Sequence, residues 1–223
     1  MRMKKEVCSV IQKLEAAGFE AYAVGGAVRD SLLGKEPFDW DVTTSALPEQ
    51  VMELFGEEAI PTGLKHGTVT VLRQGERIEV TTYRKDGEYA DHRHPVAVEF
   101  TPSLEEDLQR RDFTVNAMAL TTEGEVIDPF GGQEDRKSGV LRAVGNAAQR
   151  FEEDALRILR GLRFASDTGF PSTAEKAWNI GTPTSPNPIL PEWRTGVLTT
   201  FVCRWIILSL KRTKIPAFIW KTV

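Results

Sequence analysis

The chain has 223 residues, a mass of 24.9 kDa, and 41% hydrophobic and 27% charged residues, which argues against a disordered chain and leaves room for one large or two small domains with a core. A formal net charge of -4 and a pI near 5.6 exclude a simple basic nucleic-acid coat, but not an enzyme with a local basic groove. Cys8 and Cys203 stand near opposite ends, which argues against a disulfide scaffold and predicts a reducing, cytoplasmic setting.

Met1 to Lys5 is basic, but the apolar run of a signal peptide does not follow it. Instead Lys4 to Ala17 reads as an amphipathic helix, with Val7, Val10, Ile11 and Leu14 at helical spacing and Gly18 as its stop. Ala21 to Val24 reads as a short strand ending in Gly25-Gly26, and Ala27 to Leu33 as a helix closed by Gly34. Phe38 to Thr43 alternates like a strand. Pro48 starts a helix that runs through Glu49 to Phe55. Val69 to Arg73 and Arg77 to Thr82 flank Gln74-Gly75-Glu76, a hairpin signal. Tyr83 to Pro95 is polar and predicts a mobile loop. Ser103 followed by Glu106 is a capping-box pattern that opens a helix to Gln109. Val126 to Asp128 reads as a strand and Pro129 to Gly132 as a turn. Asn146 to roughly Ala165 is the longest helical pattern in the chain. After Gly169 the periodicity stops. Residues 171–223 hold seven Lys+Arg against two Asp+Glu, four of the five Trp and six of the twelve Pro, whereas residues 1–170 carry a net charge of -9. Val197 to Leu210 is mostly apolar but too short for a membrane span, so no membrane partner is predicted. Nothing in the sequence specifies an oligomeric state.

The chemistry begins at Asp39-Trp40-Asp41. Residues i and i+2 of a strand share a face, and two carboxylates held there repel each other unless a cation lies between them. Mg²⁺ takes one or two carboxylates together with substrate phosphates. Upstream, Gly25-Gly26 lets backbone N–H groups approach a phosphate, and Arg29 on the following helix can add a charge-assisted contact. Arg110-Arg111 beside Asp112 offers a fixed guanidinium for phosphate oxygens. Glu79 and Asp112 compete as a third carboxylate. His66, His92 and His94 lack metal-ligand spacing with cysteine, so no zinc site is predicted. On a continuous helix, with Asp154 at 0°, Phe151, Ala155, Leu156, Leu159 and Leu162 form the buried face; Arg157 falls at about 300°, Arg160 at about 240° and Gly161 at about 340°, while Arg163, at about 180°, falls within the apolar arc. Asp154 and Arg157 are then i, i+3 neighbours with open space at Gly161. An acceptor and a donor so placed match the edges of cytosine and adenine, not those of uracil or guanine.

Gly25-Gly26-Ala27-Val28-Arg29-Asp30 and Asp39-Trp40-Asp41-Val42-Thr43-Thr44-Ser45 resemble the signature of the class II tRNA nucleotidyltransferases, the CCA-adding enzymes, with bacterial poly(A) polymerases as relatives in the DNA polymerase beta superfamily. Arg110 to Ala117, Asp128 to Gly132 and Glu153 to Arg160 resemble the later motifs in the same order. Ile60 to Gly63 with Lys65 to Thr68 is similar to Bacillus-type members. The resemblance implies an α/β (α+β) nucleotidyltransferase head over residues 1–142, with a mixed sheet and flanking helices. A helical, nucleotide-selecting neck would begin at 143–170. It implies addition of C, C and A from CTP and ATP to a tRNA 3′ end, with Mg²⁺ on catalytic Asp39 and Asp41. Gly26, Arg29 and Arg111 would cradle phosphates, Asp154 and Arg157 would select the base, and Arg160 and Arg163 would support them. Asp128 to Gly132 is expected to be structural. Relatives that add only CC or only A, poly(A) polymerases, and a non-catalytic nucleotide-binding remnant are the alternatives. Family members are nearly twice this long, so a truncated chain is expected. Residues 171–223 do not resemble the family, and a shifted reading frame or disorder is the expectation there.

Overall fold

Val7, Val10, Ile11 and Leu14 form one fully buried stripe on α1 (Lys5–Ala16), as their spacing predicts. That stripe lies on a seven-stranded sheet in a computed structural model that describes residues 3–87, 98–154 and 156–168. These residues all fall in the first of two units, the second being residues 183–223. The strands are β1 (Ala21–Val24), β2 (Asp41–Thr44), β3 (Ala59–Gly63), β4 (Thr68–Arg73), β5 (Glu76–Thr82), β8 (Ala119–Leu120) and β9 (Val126–Ile127), in the order β3-β4-β5-β2-β1-β8-β9. β2 and β5 pair parallel and the other neighbours antiparallel, so the sheet is mixed, as expected.

Period-2 alternation sorts the strand residues between the two faces. Ala21, Ala23, Val42, Ile78 and Val80 join α1 and α3 (Pro48–Phe55) in the main core. Val24 turns to the other face and packs with Leu108 of α4 (Leu104–Gln109), Ala117 and Val144. A third cluster, Phe113, Val115, Leu141 and Phe164, joins that face to the last described helix.

Several boundaries differ from expectation. The strand predicted from Phe38 starts only at Asp41, because Asp39 and Trp40 precede the pairing with β1 and β5. The hairpin closes in two residues, Gln74 (φ 52°) and Gly75 (φ 87°), and Glu76 already belongs to the strand. Tyr83 is fully buried, and β6 (Arg84–Asp86) pairs with β7 (Val98–Phe100), so the predicted loop begins as a strand. Ser103 caps α4 by accepting from the Glu106 N–H at 3.4 Å; the Glu106 carboxylate turns instead to Thr101 and Lys85. β3, β8 and α5 (Gly132–Ser138) have no sequence signal in the reading above. The helix predicted from Asn146 to Ala165 is broken into α6 (Ala147–Glu153) and α7 (Leu156–Thr168). Expectations for Ala155, Leu162, His92, His94, Cys203 and the whole of 171–223 lie outside the described residues or side chains. Among the described residues no helix is long and apolar enough to cross a membrane.

Candidate active site

Because Val42 points into the main core, Asp41 and Thr43 emerge on the opposite face of β2. The same alternation on β5 buries Ile78 and Val80 and exposes Glu79. Parallel register places Glu79 directly beside Asp41, and Val24 of β1 flanks Asp41 on its other side. Partial desolvation by its neighbours pushes the Asp41 carboxyl above its ordinary value, Glu79 and Asp39 add repulsion, and Arg111 opposes them. Asp112 stands elsewhere. It accepts from the Phe113 N–H at 2.8 Å, Asn116 Nδ2 at 3.1 Å and Arg160 Nε at 2.9 Å. Of the two competitors for a third carboxylate, Glu79 is therefore the one beside Asp41.

Among the described residues no group of three or more His, Cys, Asp and Glu side chains forms a metal cage. Asp39 and Asp41 fit a different kind of site. They are a mutually repelling pair of hard oxygen donors at an exposed strand end, and Mg²⁺ accepts such a pair when phosphate oxygens complete its shell.

Gly25 carries φ 75°, ψ -139°, a conformation open to glycine and costly for other residues. A Cβ there would lie 3.4 Å from Arg111 Nη1 and 3.6 Å from Asp41 Oδ2. Backbone, guanidinium and carboxylate thus converge on one point, just before α2 (Gly26–Leu32). Arg111 is fixed by Asp107 (Nη2 to Oδ2, 3.1 Å), not by the adjacent Asp112. Four positions separate Arg111 from Asp107, and the turn that ends α4 brings the two together. Asp107 is fully buried and also binds Arg110 at 2.8 Å and Thr43 Oγ1 at 3.1 Å. Burial works against its charge, but Arg111 and Arg110 more than offset it and hold the carboxyl below the ordinary value. The Arg111 Nε is buried and has no hydrogen-bond partner.

Gly26 lies under Arg29, whose Nη2 would be 3.6 Å from a Cβ at that glycine. Arg29 itself is only 7% exposed. Its Nε and Nη2 bind Asp30 Oδ1 at 2.9 and 2.8 Å, its Nη1 donates to Asn116 Oδ1 at 2.8 Å, and its guanidinium lies 4.8 Å from the centre of the Phe164 ring. Arg29 is thus tied into the protein more firmly than a phosphate-facing arginine on an open helix turn.

The segment expected to select the base departs furthest from a continuous helix. Asp154 adopts extended backbone (φ -141°, ψ 103°) and ends α6, while its Oδ1 accepts from the Leu156 N–H at 2.9 Å and starts α7. A helical wheel drawn through the break loses its phase. Leu159, expected inside, is 46% exposed, and Arg157, expected beside the core stripe, is 5% exposed. Arg157 Nη1 donates to Glu153 Oε2 at 2.8 Å and to the Arg150 carbonyl at 3.0 Å, and Nη2 to the Arg110 carbonyl at 3.3 Å. Asp154 and Arg157 are therefore not paired side by side on a continuous helix. Nor is there open space at Gly161, where a Cβ would lie 3.1 Å from the Phe113 ring. Arg160 binds Asp112, and Arg163 is exposed with its guanidinium 4.9 Å from the Phe164 ring centre.

Asp128 accepts from the N–H groups of Gly132 (2.7 Å) and Gln133 (2.8 Å) and so caps α5, and Gly132 lets that helix meet the Thr114 carbonyl. Three residues that organise the site escaped the sequence reading: Asp107, Asn116 and Phe164. The i, i+3 and i, i+4 spacing from Asp107 to Arg110 and Arg111 was a usable signal. Asn116 and Phe164 act on Arg29 across 87 and 135 positions of sequence, where no local pattern operates.

Residues 21–142 match the poly A polymerase head domain family. The CCA-adding enzyme of Bacillus cytotoxicus is 53% identical over 170 residues, which are 76% of this chain and 43% of that protein. The crystal structure of the Bacillus stearothermophilus CCA-adding enzyme in complex with CTP superposes with a TM-score of 0.69 at 49% identity, covering 78% of this chain and 43% of the other. The Thermotoga maritima CCA-adding enzyme complexed with tRNA gives 0.59 at 27% identity, covering 79% and 42%. The chain thus spans less than half the length of the relatives it matches. With that match over more than half of its residues, the chain belongs to the poly A polymerase head domain family.

Proposed function

We propose that the chain carries the nucleotidyl-transferring head of a CCA-adding enzyme. The 3′-hydroxyl of a tRNA attacks the α-phosphate of CTP, twice, and then of ATP. Each step forms a phosphodiester bond, breaks the bond to the β-phosphate, and releases a proton and pyrophosphate. The observation that carries this reading is the meeting of Gly25, Arg111 Nη1 and Asp41 Oδ2 within 3.6 Å of one point beside a second carboxylate, Asp39.

In this reading Asp39 and Asp41 would hold Mg²⁺, which would supply positive charge beside the attacking hydroxyl and the triphosphate. Glu79 adds negative charge beside Asp41. Arg111, pre-oriented by Asp107, binds phosphate oxygens, and Gly25-Gly26 lets the triphosphate approach the backbone. Gly26 leaves room for Arg29, which shapes the floor of the cradle. Asp154 and Arg157 select the base, with Arg157 exchanging its contact with Glu153 for the nucleotide, and Arg160 and Arg163 support the helix. Residues 1–142 form the head and 143–170 the start of the selecting neck, a division supported by the end of the family match at 142. The setting is cytoplasmic, in keeping with the bacterial relatives.

The test is incubation with Mg²⁺, each nucleoside triphosphate alone, and either tRNA lacking its CCA end or tRNA ending in CC. Incorporation from CTP on the first and from ATP on the second, abolished in Asp39→Ala, is expected. Incorporation of UTP and GTP would remove Asp154 and Arg157 from base selection. Long tails from ATP alone would make the chain a poly(A) polymerase head, and nucleotide binding without incorporation would make it a binding remnant.

A further inference from the structure

α7 grips the head through Arg160 and Phe164, which lie one helical turn apart on the same face. Arg160 holds the Asp112 carboxylate, and the Phe164 ring lies against the Arg29 guanidinium, 4.8 Å from the ring centre. Asn116 joins those two head residues. It donates from Nδ2 to Asp112 Oδ1 at 3.1 Å and accepts from Arg29 Nη1 at 2.8 Å. The contacts therefore close a loop, from α7 through Asp112, Asn116 and Arg29 back to α7. Arg29 is where this loop reaches the glycine turn, because its Nη2 lies 3.6 Å from the Cβ position of Gly26.

Phe164 does more in this loop than fill space. It is 5% exposed and packs with Phe113, Val115 and Leu141, its ring perpendicular to that of Phe113 at 5.9 Å. The guanidinium groups of Arg29, Arg163 and Arg160 surround it at 4.8, 4.9 and 5.7 Å. Three cations can gather there because the ring face carries partial negative charge, and because Asp30 and Asp112 neutralise Arg29 and Arg160. A leucine would fill the site without offering that face. The attraction is strongest where water is excluded, and Arg29 is the buried member of the trio. Asp30 is the neighbour of Arg29 on α2, so it neutralises the charge without tying it to another element. Asn116 holds one edge of the guanidinium from outside α2, and Phe164 holds its face.

We infer that Phe164 is a positioning residue through which α7 keeps the Arg29 guanidinium under Gly26. The helix that carries Arg157 thereby sets the floor of the triphosphate cradle. The inference rests on the nucleotidyl-transfer reading above and adds to it a link between the base-selecting helix and the phosphate-binding turn.

The experiment measures the dissociation constant of CTP with Mg²⁺ on the full chain. Phe164→Leu is expected to weaken CTP by about 5-fold, within the range of a desolvated cation–π contact. A trifluorinated phenylalanine at position 164 keeps the shape of the ring and removes its negative face, so it is expected to weaken CTP in the same direction, whereas a role in packing alone leaves CTP unmoved. In an Arg29→Met background, either change at position 164 is expected to shift CTP by less than about twofold, because the partner it acts on is gone. Should Phe164→Leu not fold or Arg29→Met not bind, the fluorinated ring decides alone. Unchanged or tighter CTP binding with the fluorinated ring overturns the inference. Equal losses in the wild-type and Arg29→Met backgrounds overturn it too, since the ring would then act without Arg29. Each of these results leaves the functional reading standing while the wild-type chain binds CTP. A wild-type chain that fails to bind CTP with Mg²⁺ overturns the reading and the inference together.

Discussion

Arg160 on α7 grips the Asp112 carboxylate on the head through Nε at 2.9 Å and Nη2 at 2.8 Å. Asp112 is 7% exposed, whereas the Arg160 side chain is 52% exposed. From Asp112 the connection continues through Asn116 to Arg29 beside the glycine turn. Asp112→Asn is expected to lower stability by about 1–3 kcal/mol, the scale of hydrogen bonds to a charged group. Urea denaturation checks this. A loss below measurement error would mean that solvent replaces the Arg160 contact in full.

Asp107 should leave a pH signature. Its carboxyl lies below the ordinary value, so its contribution is present above the unfolded pKa of about 4 and is lost as pH falls through the folded value. Asp107→Asn is therefore expected to be less stable than wild type at pH 7, with the gap narrowing below about pH 4 as wild-type Asp107 takes up its proton. Thermal unfolding of both proteins across pH 3 to 7 reads this directly, and a gap that widens on acidification would contradict it.

Asp41 has the opposite sign. Its carboxyl is raised, so its ionised form disfavours the fold at neutral pH, and the penalty is relieved as pH falls. Without divalent cation, Asp41→Asn is expected to raise the melting temperature by about 1–2 °C, a small gain because solvent screens an exposed group. The same variant should lose nucleotide incorporation. A lower melting temperature in metal-free buffer would show that Asp41 supports the sheet rather than straining it.

Two neighbouring glycines separate packing from backbone conformation. A Cβ at Gly132 would lie 2.2 Å from the Thr114 carbonyl oxygen, so Gly132→Ala has to push α5 off the Thr114–Asn116 turn and should cost about 3 kcal/mol. Gly131 has φ 74° and nothing within 4 Å of its Cβ position, so Gly131→Ala should cost about 1 kcal/mol. Chemical denaturation of the two variants checks the order, and the reverse order would show that α5 yields easily.

The legible features were local. α1 could be read from four apolar residues, the β4–β5 hairpin from Gln74-Gly75, and the carboxylate pair from three consecutive residues. β8 escaped because two residues carry no period, and α5 because Gly132 to Ser138 lacks an apolar stripe. The break at Asp154 was hidden by a capping residue inside an otherwise helical pattern: a carboxylate that can bond its own backbone two residues on competes with the helix.

By itself the sequence determined which chemical groups are present and roughly where: two carboxylates one residue apart, a glycine pair before a short helix, and an arginine pair after another. Strand alternation and one helical turn are short-range geometry, and residue spacing encodes them. Only the tertiary structure decided which partners those groups keep. Parallel pairing of β2 with β5 set Glu79, not Asp112, beside Asp41. Burial of Asp107 aimed Arg111 at Gly25, and Asn116 with Phe164 drew Arg29 inward. An arginine reaches across several ångströms on a flexible stem, so its partner is chosen by the long-range packing that brings acceptors within its reach.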